Sequence, residues 1–507
     1  MMMFAPTSHR CNTMHAPMSQ RAAHRGSVVV VVVWAVAVAA VLVSATQIVT
    51  FRQAVVGRET LARVQARWAA RAGVEQMVAI MEFHLQNADP DDPMAVVRDM
   101  EEHATGTTAT GSWDIRHFLD GLEWAGPLDE GAKLNINVAT SVQLTNIPNM
   151  TPDVVDAIVD WRDADDNVQG LGAESDYYSN RSLGYKPRNG NFRSFAELEL
   201  VAGAWPLYVR GEDWNLNGRL DPNENDGNKS FPNDKPDGKL DGGWSKFLTA
   251  TSVQSPMSLS GENKLPLKGA DPESLTKRLG IDAEQAKALT TYGNQPNAKP
   301  EALIATPLSQ LSASGAGGSS GTGGTGGARG STGGKTGGST SGRGSTSAGG
   351  SSSAGGGSSG RSSSGRSSGG TGGTSAVADL TNAQLRAVLR ETTADDFTKP
   401  VPGRMNINTV PDSVLKEVLE IDPRLADAII ARRRAKPEGI TSLADLSDMS
   451  GINPTVLTQL ASQFDVTSSV YTVTSRGRAA TTGAEVEIEA VVDKSQLPAK
   501  IISYREQ

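Results

Sequence analysis

Residues 24–45 read HRGSVVVVVVWAVAVAAVLVSA, and no other stretch restricts the fold of this chain so strongly. Val28 to Ala45 carries no charge and is just long enough to cross a bilayer as a helix, at about 1.5 Å per residue. Arg10, Arg21 and Arg25 precede it and the first acidic residue is Glu59, which suits a cytoplasmic start, although Arg52 and Arg58 beyond the run pull the other way. A removed export signal would need a shorter core before an exit such as Val43-Ser44-Ala45. The sequence past that exit opposes removal there. No proline occurs from Gln47 to Leu85, helix formers dominate, and Leu61, Val64, Trp68, Gly73, Met77 and Met81 recur mostly at three-to-four spacing. The apolar run therefore continues as one helix of about 60 residues, ~90 Å long, half in lipid and half out. An uncleaved anchor satisfies the same hydropathy.

Composition removes several classes of function. The 507 residues allow two to four domains, and a net charge of -8 gives no global basic field for nucleic acid. The single cysteine, Cys11, precedes the apolar run, so a disulfide framework or a Cys-based metal site is excluded. His84, His103 and His117 are the histidines that follow the run, and none sits in a metal-protease, nucleophile-elbow or phosphate-loop pattern. No enzyme is expected.

Beyond the helix, one unit repeats. KLNINVATSVQLTNIPNMTPDVVDAIVDW, from Lys133, aligns without a gap on RMNINTVPDSVLKEVLEIDPRLADAIIAR, from Arg404. They share Asn135/Asn406, Ile136/Ile407, Asn137/Asn408, Leu144/Leu415, Pro152/Pro423 and Asp156-Ala157-Ile158/Asp427-Ala428-Ile429. A fainter copy from Lys264 keeps Leu265, Leu267, Leu275, Ile281 and Ala288-Leu289. Each copy reads as an extended lead-in, a short helix, a tight turn and a second helix. The pattern resembles helix-hairpin-helix domains, in which hairpin backbone N–H groups meet phosphate. Here Pro148-Asn149-Met150-Thr151 and Glu420-Ile421-Asp422-Pro423 replace the Gly-rich hairpin, and acids oppose phosphate. Arg432-Arg433-Arg434 is the one basic cluster suited to nucleic acid. The repeats are therefore expected to pack rather than to bind DNA, with a membrane-anchored DNA-binding protein as the alternative.

The first copy carries an acidic insertion between Arg162 and Phe192, with Asp163, Asp165, Asp166, Glu174 and Asp176 crowded beside Asp160, Tyr177 and Tyr178. Such crowding calls for solvent or a cation. Downstream, DWNLNGRLDPNE supplies Asp213, Asn215, Asn217, Gly218, Asp221 and Glu224 at EF-hand spacing, oxygen ligands around a glycine turn with a final glutamate. NDKPDGKLDGGW offers a weaker set, Asn233, Asp237 and Asp241, with Lys235 and Trp244 at two ligand positions. Calcium is the expected cofactor. Modest affinity suits a compartment outside the cytoplasm, which puts the head across the membrane.

Ser312 to Ser375 is almost entirely Gly, Ser, Thr and Ala and reads as a flexible linker spanning ~45 Å by square-root scaling. SVYTVTSRGR and AEVEIEAVVD alternate as a β-hairpin, with Val486, Ile488 and Ala490 on one face and Glu485, Glu487 and Glu489 on the other. It is expected to join strands around Trp113 to Leu119. The fold class is thus α+β: a long membrane-spanning helix, a small antiparallel sheet and repeated helix-hairpin-helix-like units.

A basic leader ending in Gly26, followed at once by the apolar helix, resembles the class III signal of type IV pilins and type II secretion pseudopilins. RAGVEQ at Arg71, DEGAKLNIN at Asp129, IVDWRDADD at Ile158, the Tyr177-Tyr178 pair and SFAELELVAG at Ser194 follow in the order found in the general secretion pathway protein K family. The resemblance covers residues 24 to about 250 and resumes from Arg404 to Val492. It implies a pilin-like fold for the helix and cleavage between Gly26 and Ser27 by a prepilin peptidase. It further implies a minor pseudopilin of type II secretion, anchored once in the inner membrane with a periplasmic head. Its implied partners are the other minor pseudopilins, the major pseudopilin and the inner-membrane assembly platform. Most of the superfamily carries glutamate at the fifth mature position, where Val31 stands here. In the superfamily's assembly model that glutamate pairs with the amine of the subunit above, so a tip subunit has no use for it and an unpaired carboxylate in lipid is costly. The chain then divides into a leader (1–26), long helix (27–87), α+β head with the first helical unit and calcium loops (88–250), and a second, weaker unit (251–311). Linker (312–375), third unit (376–465), and hairpin with tail (466–507) complete it.

Overall fold

The computed structural model describes residues 25–181, 184–311, 377–419 and 421–507. The residues before Arg25 in the expected leader, the expected linker and Glu420 lie outside them. Two compact units divide the chain: one holds the residues up to Ser255 with Pro402–Gly439 and Val466–Gln507, the other Pro256–Val401 with Ile440–Asp465. The units interleave in sequence, whereas the sequence alone suggests serial domains.

Helix α1, Arg25–Gln86, is unbroken. From Val28 it is long and apolar enough to cross a membrane, and its most apolar window is wholly exposed. Its far half packs on a sheet: of the positions the spacing marks, Gly73, Met77 and Met81 face the sheet, and the three nearer the membrane do not. Ala62, Ala66, Ala69, Ala70, Val74, Met77, Ile80 and Met81 are buried, whereas Leu61, Val64 and Trp68 stay exposed, Trp68 at 59%. Close approach is the physical reason. A Cβ on Gly477 of the sheet would collide with the Ala66 carbonyl and the Ala70 amide, and one on helix residue Gly73 would strike Trp113. Small residues on both sides let the backbones meet, and bulky Leu61, Val64 and Trp68 have no room there.

The sheet comprises β1 (Thr105–Thr107), β2 (Gly111–Leu119), β3 (Leu122–Ala125), β4 (Leu128–Asp129), β5 (Val470–Ala479), β6 (Glu485–Asp493) and β7 (Lys500–Glu506). Its order is β1-β2-β5-β6-β7, with β3 paired to β2 and β4 to β5, every pair antiparallel. The expected hairpin is β5–β6, and β5 pairs with β2 at Gly477↔Trp113. Ile488, Ala490 and Val492 alternate onto the α1 face and join Met77, Met81, Ile115 and Met100 of helix α2 (Ala95–Glu102) in one core. Each fully buried Ile, Val or Met among them contributes about 1.5–3 kcal/mol. Strand β7 was legible only as a tail.

Two helical repeats attach to this unit. In the first, α3 (Ser141–Thr145) is closed by a Thr140–Gln143 capping box and leads to α4 (Pro152–Arg162). The last copy places α5, Pro423–Arg434, at the position of α4. Its Asn406 side chain and the hydroxyls of Thr409 and Ser468 donate to buried Asp129, and Thr472 donates to Glu130, which ties repeat and sheet together. In the other unit the faint copy forms Pro272–Leu279 and Ala283–Gly293. Leu275, Leu279, Ile281, Leu289 and Tyr292 share a core there with Val388.

Candidate metal centre

Helix α4 ends with Asp160 in its last turn and Asp163 as its C-cap; the insertion then returns so that Glu174 caps the short helix Ser175–Asn180. One oxygen each from Asp160, Asp163 and Glu174 lies within 4.8 Å of the others, the one such group of His, Cys, Asp and Glu among the described residues. Asp160 is 0% exposed and Glu174 2%. Asp160 Oδ2, Asp163 Oδ1 and both Glu174 oxygens are buried without a hydrogen-bond donor. Three carboxylates at the negative end of a helix, mutually close and unsatisfied, are costly unless a cation or proton joins them. Burial, and then the charges of Asp160, Asp163 and Asp166, push Glu174 up to about 7. Burial also raises Asp160.

The surroundings hold this constellation in place. The Gln169 amide donates to Asp160 Oδ1 at 3.0 Å and the Gln169 side chain to Asp163 Oδ2 at 2.9 Å. A Cβ on Gly172 would collide with Asp160. Trp161 donates to Glu197, stacks on Phe192 and meets Tyr178 edge-on, while the Ala202 amide donates to the Tyr178 hydroxyl at 3.1 Å. Arg162, the cation next in sequence, is turned away: it donates to the Ile136 and Ala139 carbonyls. Of the other predicted residues, exposed Asp165 accepts from Asn167, and Asp166 accepts from Ser175 and Asn189. Asp176 is exposed on its helix. Sequence reasoning missed Asn189, which ties the insertion by donating to the Asp165 carbonyl and to Asp166 and whose Oδ1 is buried without a donor; no spacing signal marks it.

The EF-hand-like loop is arranged differently. Asp213 accepts from the Asn217 and Gly218 amides, and Glu224 from the Trp214 and Asp221 amides. Asn215 and Asn217 both donate to Asp221 Oδ2, and Arg476 donates to Asp221 Oδ1 at 2.7 Å. Protein donors thus serve all three carboxylates. Burial still pushes Asp213 up to about 6 and Glu224 to about 7. The loop covers the acidic face of β6, with Asn217 donating to Glu487. In the weaker loop Asn233, Asp237 and Asp241 are exposed, Asp237 accepting from the Lys239 amide and Asp241 pairing with Lys246.

The last repeat shows what its hairpin does with its amides. Asp422 accepts from the Arg424 and Leu425 amides, the donors a phosphate would need, and holds a negative charge in its place. Arg433 is turned inward onto the Ile407 and Val410 carbonyls and Asp412, and Arg434 pairs with Asp412. This geometry favours packing over DNA contact.

Fold and site together define a protein whose described residues hold one membrane-length helix, a helix-on-sheet core and inward-turned helical repeats. Residues 134–210 match the family model described as Type II secretion system (T2SS), protein K, and residues 403–465 the helix-hairpin-helix motif. The segment 134–210, which is similar to that protein K family, contains the Asp160, Asp163 and Glu174 cluster. The chain is similar, at TM-score 0.38 and 11% identity over 89% of its length and 99% of the other, to a chain from "The Crystal Structure of the GspK-GspI-GspJ complex from enterotoxigenic Escherichia coli Type 2 Secretion System". No curated protein matches the chain.

Proposed function

We propose that this chain is a non-enzymatic minor pseudopilin of type II secretion, anchored in the inner membrane by α1 and placed at the tip of a periplasmic pseudopilus. The observation that carries the reading is the similarity of residues 134–210 to the protein K family on a chain whose α1 passes from an exposed apolar half to a small-residue face docked on a sheet. Val31 supports the tip position. A subunit with no neighbour above it gains nothing from a carboxylate in lipid, where an unpaired charge is expensive. The head of several hundred residues supports it too, since successive copies at the close rise of a thin filament would overlap. Other minor pseudopilins, the major pseudopilin and the assembly platform are the proposed partners, and a prepilin peptidase cuts between Gly26 and Ser27. Terminal mass spectrometry of the membrane-extracted protein should find Ser27 first; an intact Met1, or a start near Thr46, contradicts cleavage there. Deletion of the chain should block secretion and be complemented by the full-length protein; unimpaired secretion would reject the role.

Calcium is the proposed cofactor. Asp160, Asp163 and Glu174 form an all-oxygen set that fits a hard cation, and their orphaned oxygens are the observation behind it. Bound calcium would supply charge neutralisation and join the end of α4 to the returning insertion. The EF-hand-like loop, with Asp213, Asn215, Asn217, Asp221 and Glu224, is a second proposed site, entered only if Arg476 and the Asn amides release Asp221. Calorimetric titration of the full-length protein in detergent tests both: two uptake events are expected, and no heat above the chelator control would reject calcium.

A further inference from the structure

Strand β7 forms one margin of the sheet, and no strand among the described residues pairs with its outer side. Its ends are charged, but its middle, Ile501-Ile502-Ser503-Tyr504, carries no charge. Ile501, Ile502 and Tyr504 are 44%, 50% and 47% exposed. Sheets ordinarily blunt such margins with charge, proline or a covering element, because unpaired backbone beside apolar side chains recruits another strand. The register of β6 with β7 pairs Val492 with Ile501 and Ala490 with Tyr504, so these two side chains share the face on which α1 lies.

The direction of β7 narrows what could cover it. Arg67 of α1 pairs with Glu506 at 2.8 Å, and Glu82 accepts from the Ala499 amide at 3.0 Å. Strand β7 therefore runs alongside α1 and antiparallel to it, Glu506 nearer the membrane-length half and Lys500 farther away. Val64 and Arg71, three and four residues from Arg67, continue the same side of the helix. KIISYRE is self-complementary in antiparallel register, Lys500 falling opposite Glu506 across Ser503. Yet a second copy does not fit. The two-fold axis of such a pair stands perpendicular to the sheet and would reverse α1, sending the two membrane halves in opposite directions.

We propose that this margin docks a β-strand of a different single-pass, pilin-like subunit rooted in the same membrane. Charge complementarity specifies that strand: running antiparallel to β7, it reads apolar, then acidic away from the membrane, facing Tyr504, Ile502 and Ile501 and then Lys500, since Glu506 is already paired with Arg67. Main-chain pairing supplies the attachment, and Ile501, Ile502 and Tyr504 supply the side-chain contacts. The inference rests on the reading of the chain as a pseudopilin and names the surface that reading requires.

The experiment places a photo-crosslinking phenylalanine analogue at Tyr504 of the full-length chain in its native membrane, with Leu171 in the acidic insertion and Trp68 on α1 as comparison sites. Tyr504 should capture a pilin-like subunit where Leu171 does not, and Ile502→Lys, which puts charge on the edge, should cut that yield about tenfold. Silence at Tyr504 with capture of a pilin-like subunit at Trp68 overturns the docking edge and leaves the pseudopilin reading standing. Silence at both sites overturns both. Adducts at Tyr504 with a second copy of the chain, or with a secreted protein, also overturn the proposal.

Discussion

The first and last helical repeats share one framework and differ at one corner. At a constant offset, Arg162 and Arg433 both reach back to the carbonyls of the lead-in: Arg162 to Ile136 and Ala139, Arg433 to Ile407 and Val410. The Asn-Ile-Asn lead-ins also match, Asn135 accepting from the Asn137 amide and Asn406 from the Asn408 amide. At the end of the second helix they diverge. Asp160 and Asp163 of the first copy correspond to Ala431 and Arg434 of the last, and Arg434 neutralises Asp412 while the insertion brings Glu174 to the two aspartates. One scaffold thus carries an internally paired corner in one copy and a corner of three close carboxylates in the other.

The largest effects should come from what the copies share. Arg162→Ala and Arg433→Ala each strand two carbonyls that take charge-assisted bonds and should each cost about 2–3 kcal/mol. Similar losses in chemical denaturation of the two variants would confirm a common lock; an Arg433 variant as stable as wild type would break the equivalence.

Calcium should separate the copies next. Binding to the folded state alone stabilises by RT ln(1 + [L]/Kd), about 2.7 kcal/mol at a hundredfold excess over Kd. Asp160→Asn should remove most of the thermal shift produced by adding calcium to the chelated protein, Asp213→Ala and Glu224→Ala the share of the second loop, and Arg434→Ala none. An unchanged shift in Asp160→Asn would remove the first repeat from the account.

A smaller, pH-dependent difference follows from Glu174. Its folded value of about 7 lies above the ordinary carboxyl value of 4.5, so the folded chain keeps a proton that the unfolded chain has lost. Stability of the calcium-free protein should therefore fall as pH rises from about 4.5 through 7, because the unfolded state then binds fewer protons. Glu174→Gln should flatten part of that slope, Asp213 and Glu224 keeping the rest; a slope identical to wild type in melts across that range would contradict the assignment. The smallest effect belongs to Arg434→Ala, since the Arg434 side chain is 65% exposed. It should change stability by less than about 1 kcal/mol, as surface pairs do.

What the sequence made legible follows from how each signal arises. The long helix, the β5–β6 hairpin and the repeats rest on local periodicity, which the chain carries openly. The docked face of α1 does not: Leu61, Val64 and Trp68 have the apolar spacing, but the choice of the alanine face depends on Gly477 and Gly111, some 400 and 50 residues away. The alternation in β6 correctly marks its buried face, yet the acidic face is covered by the 213–224 loop through Asn217 and Arg476, a tertiary contact no strand pattern reports. At the site, the acidic crowd was visible in the insertion. Which of its members converge was not, because Asp160 and Asp163 are positioned by α4 and Glu174 by the return of a loop whose path depends on Tyr178 and Trp161.

The most direct test of the account is stoichiometry. Quantitative mass spectrometry of isolated pseudopili should find this chain far below the major subunit, about one per filament end, with labelled heads at the tips alone. Abundance equal to the major subunit, or heads along the whole shaft, would contradict a tip-capping minor pseudopilin.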